Sequence, residues 1–432
     1  MKAILFLGTS LLGSQYISDA VLALGYRPIF LLNIEEYSGD PRNAIERCEY
    51  YKADVNSLDD ILRVIEQHQF MKDVIGVTSL LDETLQNACA IAKQFGISGP
   101  DPVLAQLTDK ALVSKFIPEF SPPSLVFKLS NLEGESVRSF FNEYQTFNEF
   151  VLKPGISSGA VGIVILTNTT TEDQIRNYIK KSNIPEANQQ SWIIQPRITG
   201  RLCSLEGFVR DGHVFFMGFT GRVRIELTEI VTEFPIDNEL PEVLQEKCQH
   251  AVKTLVHRSC YANGYFHCEF LITSDSVYFL DGNMGRIGGA AIVQQIALAH
   301  GMNPIEIYKH VFDLGIFNGI HTHDFNYKKI SDEPIFGVNY CIAEPARVLS
   351  IEIKGNLSSS HTRIADNGRE IPRAGSSDSA WVGFLVGSKE KVLADIQLLE
   401  IKTSAGSVSP FYTFEDMQPT EKRELNAIEG SC

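Results

Sequence analysis

The sequence has no stretch approaching the ~18 uninterrupted apolar residues that a membrane-crossing helix needs, so a soluble protein without a membrane partner is expected. It also has no CxxC pair. Its eight cysteines (Cys48, Cys89, Cys203, Cys248, Cys260, Cys268, Cys341 and Cys432) are scattered, which argues against structural zinc and points to reduced thiols in a cytoplasmic protein. Cations are scarce: 38 Lys and Arg against 53 Asp and Glu leave a net charge of −15, which argues against nucleic acid as the main partner. A small polyanion stays admissible where cations or a metal gather locally. Two phosphate-binding signatures are missing. GxxxxGK[ST] does not occur, and the first turn, Gly8-Thr-Ser-Leu-Leu-Gly13, carries Ser10 where a dinucleotide fingerprint needs its second glycine. That turn reads as a tight βα connection, and NAD-dependent oxidoreduction rests on it alone.

What is present is a chain of 432 residues, 44% hydrophobic and 21% charged, long enough for two to four domains at roughly 100–200 residues each. The opening "MKAILFLG" has a Lys before a short apolar run, as a signal peptide does. It contains Gly8, lacks a good small-residue cleavage site and leads into a repeating pattern, so it is read as a first core strand. Strand patterns "AILFLG", "RPIFLL" and "DVIGVTS" alternate with helical stretches over 12–24, 58–69 and 83–95. Such alternation implies βαβ units, a parallel sheet and a Rossmann-like domain over 1–105.

Pro118, Pro122 and Pro123 mark a crossing into a second unit over 106–200. It reads as strands "FNEFVLKP", "GIVILT" and "SWIIQP" with helices near 135–144 and 171–181. A third unit, 201–320, is strand-rich from Cys203 to Thr220, with a long helix over 241–261 and shorter ones near 289–300 and 304–312. Residues 321–432 read as a small α+β domain with a disordered end after Glu415.

Carboxylates are rare in apolar strands, yet "FHCEFLITSDSVYFLDGN" places Glu269 within one and Asp281 and Asn283 at the end of the next. A hairpin around a three-residue turn, Ser274 to Ser276, sets Glu269 directly across from Asp281, with Cβ atoms about 5 Å apart. His267 and Asn283 then share their face, and Phe270, Ile272, Tyr278 and Leu280 take the other. Two carboxylates this close repel unless a cation or a shared proton lies between them. A divalent metal such as Mg²⁺, which prefers oxygen ligands, satisfies the pair, and a solvated hairpin face satisfies it too.

Three further segments carry potential chemistry. "VLKPGISSGAVGIVIL" puts Lys153 at a strand end before Gly155, Ser157, Ser158, Gly159 and Gly162, small residues that let backbone N–H groups close on phosphates. A hairpin turn gives the same pattern. Lys110 in "LTDKALV" opens a helix, as solvated lysines commonly do. "SWIIQPRITGR" leaves a buried run at Gln195 and Pro196 and turns at Gly200, which suits either a flat base or a linker.

In this order the four segments resemble the ATP-grasp superfamily over nearly the whole chain. The resemblance implies an α/β ATP-grasp fold with a Rossmann-like N-terminal domain, a mobile lid subdomain and an α+β C-terminal region. It implies ATP contacts from Lys110, Lys153, Ser157, Ser158, Gly159, Gln195, Pro196, Arg197 and Ile198. Glu269, Asp281 and Asn283 would hold one or two Mg²⁺ ions, with Mn²⁺ a substitute. Arg286, Glu269 and Asn283 would serve catalysis, Arg286 meeting the substrate carboxylate or its acyl-phosphate.

Asp281 stands where Glu is usual, Pro196 where Glu is frequent, and one residue is inserted before Arg286. "GYFHCEFLI" and "GRIGGAA" look most like the amino-acid ligase branch, which includes dapdiamide-type amide synthetases. There Arg222, Arg224, Glu229, His267, Arg286 and Gly288 would line the substrate pocket, and a solvated arginine face is the plain alternative for the "TGRVR" cluster. The implied activity is an ADP-forming carboxylate–amine ligase acting on small molecules, often as a homodimer. Rivals are a carboxylase or purine-pathway ligase of the same fold, and a nucleotide-binding regulatory module.

Overall fold

A computed structural model of the chain describes residues 1–415 except 11–12, 158–159, 183, 185–186, 188–189, 290, 323–324, 326 and 329. Ser158, Gly159 and the expected disordered end after Glu415 therefore lie outside the described residues.

The N-terminal sheet is parallel, in the spatial order Glu49–Lys52, Arg27–Leu32, Ala3–Leu7, Val74–Thr78. Every residue of Ala3–Leu7 is buried, as a parallel strand covered on both faces requires. Leu5 and Leu7 pack with Ile61, Ile65 and Ile91 on one face, while Ile4 and Phe6 meet Val311 and Phe312 on the other. The second face is thus covered by the helix Pro304–Phe317, far along the chain. The edge strand Glu49–Lys52, "EYYK", gave no apolar signal because half of it faces solvent.

A second sheet is antiparallel, in the order Leu125–Lys128, Ser191–Pro196, Glu149–Pro154, Val164–Thr167. Helices Gly134–Glu143 and Glu172–Lys181 supply Phe140, Phe141, Ile175 and Ile179 to a core around Phe150 and Trp192.

The largest sheet has eight antiparallel strands in the order Val277–Asp281, Gly264–Ile272, Arg201–Arg210, His213–Ile225, Thr228–Phe234, Ile335–Tyr340, Gly383–Gly387, Ser360–Arg363. The helix Glu242–Ser259 lays Leu244, Val252 and Leu255 against one end of it. The division expected at 320/321 falls inside this sheet, because Ile335–Tyr340 pairs with Thr228–Phe234. A small sheet of Arg369–Ile371, Ala346–Ile353, Leu399–Thr403 and Gly406–Val408 completes the C-terminal part.

The hairpin pairs Glu269 with Asp281, and then its register shifts, so that Phe270 faces Phe279 and Ile272 faces Val277. Leu280 is the extra residue of a β-bulge, and a bulge reverses the alternation beyond it. The expected apolar face is corrected accordingly. Phe279 and Val277, not Leu280 and Tyr278, join Phe270 and Ile272 in the core, and Leu280 turns to the cavity described below. The connection is also one residue longer than expected, closed by the Thr273 N–H donating to the Ser276 carbonyl. Among the described residues, no helix is long and apolar enough to cross a membrane.

Candidate functional site

A cavity of about 620 Å³ opens where the parallel sheet, the second sheet and the large sheet converge. Lys153 enters it from the end of the strand Glu149–Pro154, whose last residues are buried. Its Nζ donates to the Leu280 carbonyl at 3.3 Å and makes no ion pair among the described residues. Burial, helped by the charge of Lys110, pushes its ammonium down to about 8.

Lys110 begins the helix Lys110–Phe116, which Asp109 caps by accepting the Ala111 N–H at 2.8 Å. Its Nζ lies 2.9 Å from Asp281 and donates to the Ser157 carbonyl at 2.8 Å. Burial alone would lower this ammonium, but Asp281 more than offsets it and the net shift is upward. Asp281 is thus committed to Lys110, and Lys153 is left a buried cation without a carboxylate of its own. Such a group costs several kcal/mol unless an anion is supplied.

Glu269 lies 2.6 Å from Arg222 and 3.4 Å from His267 Nε2. Burial would raise its carboxyl, and Arg222 and His267 hold it well below the usual carboxylate range. Arg222 also pairs with Glu229. His267 Nδ1 sits 2.8 Å from Glu206, a fully buried acid that also accepts from Ser204 and Thr220 hydroxyls at 2.8 and 3.1 Å. Burial pulls the imidazole down, yet the two glutamates more than offset it and push it up to about 9. The charged imidazolium is thereby favoured, and the ring bridges Glu206 and Glu269. Gly288 gives the ring room, since a Cβ there would stand 2.7 Å from His267 Nδ1.

Arg286 lies between two parts of the molecule. Its Nε and Nη2 donate to the two Asp82 oxygens, both at 2.8 Å, and Nη2 also meets Asn283 Oδ1. Asp82 opens the helix Asp82–Phe95 of the parallel-sheet domain, so this fork joins that domain to the end of the hairpin. Asn283 is held at φ 36°, and its Nδ2 is buried without a hydrogen-bond partner among the described residues. On the C-terminal side, Arg224 stands 3.7 Å from Asp378, whose other oxygen accepts the Glu229 N–H at 2.9 Å. Burial pushes the Asp378 carboxyl up to about 6. Trp381 Nε1 donates to the Glu229 carbonyl at 2.6 Å.

Most of the expected residues meet in this cavity: Lys110, Lys153, Ser157, Arg222, Arg224, Glu229, His267, Glu269, Asp281, Asn283 and Arg286. Gly288 stands behind His267. Gln195, Pro196, Arg197 and Ile198 are not among its lining residues. Gln195 spends its amide on Ser124 at 2.8 Å, and Arg197 pairs with Glu149 at 2.6 Å.

Asp82, Glu206, Arg369, Asp378 and Trp381 were not anticipated. Glu206 alone had a signal, an acid inside the apolar strand "LCSLEGFV" like that which singled out Glu269. The opposed carboxylates of Glu269 and Asp281, with the Asn283 amide oxygen, make a hard-oxygen donor set that fits Mg²⁺. Among the described residues, no group of three or more His, Cys, Asp or Glu is arranged to hold a metal ion. A cation here would therefore rely on two carboxylates and keep positions for water or phosphate oxygens.

A parallel N-terminal sheet, a small antiparallel sheet and a large antiparallel sheet converging on this cavity make up an ATP-grasp fold. No protein-family model matches the chain, and comparison with curated protein sequences finds no match. Solved structures carry the likeness. An L-amino acid ligase from Bacillus licheniformis aligns over 96% of this chain and 99% of its own, with a TM-score of 0.69 and 15% identity. The biotin carboxylase domain of the Hydrogenobacter thermophilus 2-oxoglutarate carboxylase, a dimer in complex with MgADP, ADP and bicarbonate, covers 93% and 91%, with a TM-score of 0.68 and 15% identity. Phosphoribosylglycinamide synthetase from Anaerococcus prevotii covers 93% and 99%, with a TM-score of 0.65 and 15% identity.

Proposed function

We propose that this protein is an ATP-dependent carboxylate–amine ligase that forms an amide or peptide bond through an acyl-phosphate, releasing ADP and phosphate. The observation that carries the reading is Lys153, a buried ammonium facing the cavity with no ion-pair partner among the described residues, beside the opposed Glu269 and Asp281. A site that holds a buried ammonium with no ion pair of its own among the described residues, next to a hard-oxygen donor pair, calls for a polyanion with a divalent metal. The reading is supported by the fold likeness to the amino-acid ligase, which spans nearly all of both chains.

Lys153 and Lys110 would neutralise the ATP phosphates, and the Ser157 segment, held to Lys110 through its carbonyl, would close over them. Glu269, Asp281 and Asn283 would hold Mg²⁺, which when bound spreads the charge of the transferring phosphoryl group. His267 and Arg222 fix the Glu269 carboxylate for that task from two sides. Arg286, oriented by the Asp82 fork, presents a planar cation to the substrate carboxylate and then to the acyl-phosphate. No side chain is needed as a covalent nucleophile, because positioning and charge neutralisation supply the barrier lowering. The reactants are small molecules, and the free cysteines suit a cytoplasmic setting.

The test is ADP release from ATP and Mg²⁺ over pooled amino acids and small carboxylates, with mass spectrometry of the products. Substrate-dependent release with a new amide mass, absent in Glu269→Gln, is the expected result. Nucleotide binding without release under every pool would replace the ligase by a regulatory module.

A further inference from the structure

The cavity wall also holds an arginine with no ion pair among the described residues. Arg369 begins the short strand Arg369–Ile371 of the C-terminal sheet and lines the cavity with Ser377, Asp378, Ser379 and Trp381. Its guanidinium makes no hydrogen bond or ion pair among the described residues, and Nη1 is buried without a partner. No neighbouring carboxylate offsets its burial, which lowers its basicity. The other arginines that line the cavity are engaged: Arg222 with Glu229 and Glu269, Arg286 with Asp82, and Arg224 with Asp378. An arginine kept partly desolvated and unpaired in a cavity wall is a waiting half of a forked ion pair. It belongs to neither group already given a role, since the phosphates and metal fall to Lys110, Lys153, Glu269 and Asp281, and the reacting carboxylate to Arg286.

Resting on the ligase reading, we propose that Arg369 binds a spectator carboxylate of a substrate, one that is never phosphorylated, and that the C-terminal sheet thereby sets substrate choice. The spectator is the free carboxylate of an α-amino acid serving as the amine component. Asp378 also lines the cavity, held by Arg224 only at 3.7 Å, and the ammonium of a zwitterion would compete with Arg224 for it. The alternative source of the same chemistry is the second carboxyl of a dicarboxylic acyl substrate, and the two sources are separable.

The experiment compares the full-length wild type with Arg369→Ala and Arg369→Lys in steady-state ADP release, using a productive pair found among pooled amino acids, with melting curves to confirm folding. Loss of a charged hydrogen-bonded pair is expected to raise KM for the amine component roughly ten- to hundred-fold in Arg369→Ala, with KM for ATP unchanged and partial rescue in Arg369→Lys. The carboxamide of the same amine component should bind wild type and Arg369→Ala alike. A rise in KM for the acyl component instead would overturn the amine assignment in favour of a dicarboxylate. Unchanged KM for both components in a folded Arg369→Ala overturns the proposal while the ligase stands. Absence of ADP release from the wild type with every pool overturns both.

Discussion

Lys153 offers a quantitative handle. Its ammonium, pushed down to about 8 by burial, is charged in about ten molecules of eleven near pH 7 and in about one of eleven near pH 9. If phosphates bind only the charged form, the apparent dissociation constant scales as one plus the deprotonated-to-protonated ratio and rises about tenfold over that interval. The bound anion raises the lysine again, so the complex keeps its proton. Binding near pH 9 should therefore take up about one proton, and binding near pH 7 almost none. Calorimetry of MgADP binding in buffers of differing ionisation enthalpy reads both quantities without any second substrate. Lys153→Arg, whose guanidinium stays charged throughout, should flatten the profile. A constant affinity from pH 7 to 9 with no proton uptake in the wild type would refute the reasoning that Lys153 awaits a phosphate.

Three other outcomes follow from the same geometry. Removing Asp82 leaves Arg286 short of its fork; breaking a buried pair costs about 3–5 kcal/mol, and cavity exposure of the guanidinium reduces this to about 2–3 kcal/mol in Asp82→Ala. Urea unfolding followed by tryptophan fluorescence should show part of that loss restored in Asp82→Ala/Arg286→Met, whereas strictly additive losses would deny the coupling. His267, pushed up to about 9 from 6.5, contributes stability that is fully present below pH 6.5 and lost as pH rises through about 9. Urea midpoints across that window should fall in the wild type and lose this slope in Glu206→Gln, and parallel slopes in the two proteins would contradict it. Gly288→Ala drives a methyl to 2.7 Å from His267 Nδ1 and 2.9 Å from Ile292, so a loss of about 1–3 kcal/mol is expected in thermal melts. A melting temperature equal to that of the wild type would show that the ring has more room than the geometry allows.

Local pattern carried much of this into the sequence. Period-two alternation with acids out of place marked Glu269 and Asp281 as opposed, and the structure pairs them. Strands such as Ala3–Leu7 were legible because both faces are covered and the apolar run is unbroken. What escaped was set by contacts between distant segments. Nothing near "LLDET" announces that Asp82 grips an arginine more than two hundred residues away. The bulge at Leu280 was invisible because alternation predicts faces only while the register holds. Asp378 and Trp381 reach the cavity just before the strand Gly383–Gly387, which extends the large sheet, and Arg369 reaches it from the small C-terminal sheet, pairings that no local spacing encodes.

The central claim is that a carboxylate is phosphorylated at its oxygen before the amide forms. Its most direct test is to run the productive reaction with the acyl substrate labelled with heavy oxygen in its carboxylate, and to weigh the released phosphate. Transfer of one labelled oxygen to each phosphate, dependent on Mg²⁺ and abolished in Glu269→Gln, is the result the account predicts. Unlabelled phosphate, or release of AMP in place of ADP, would contradict it.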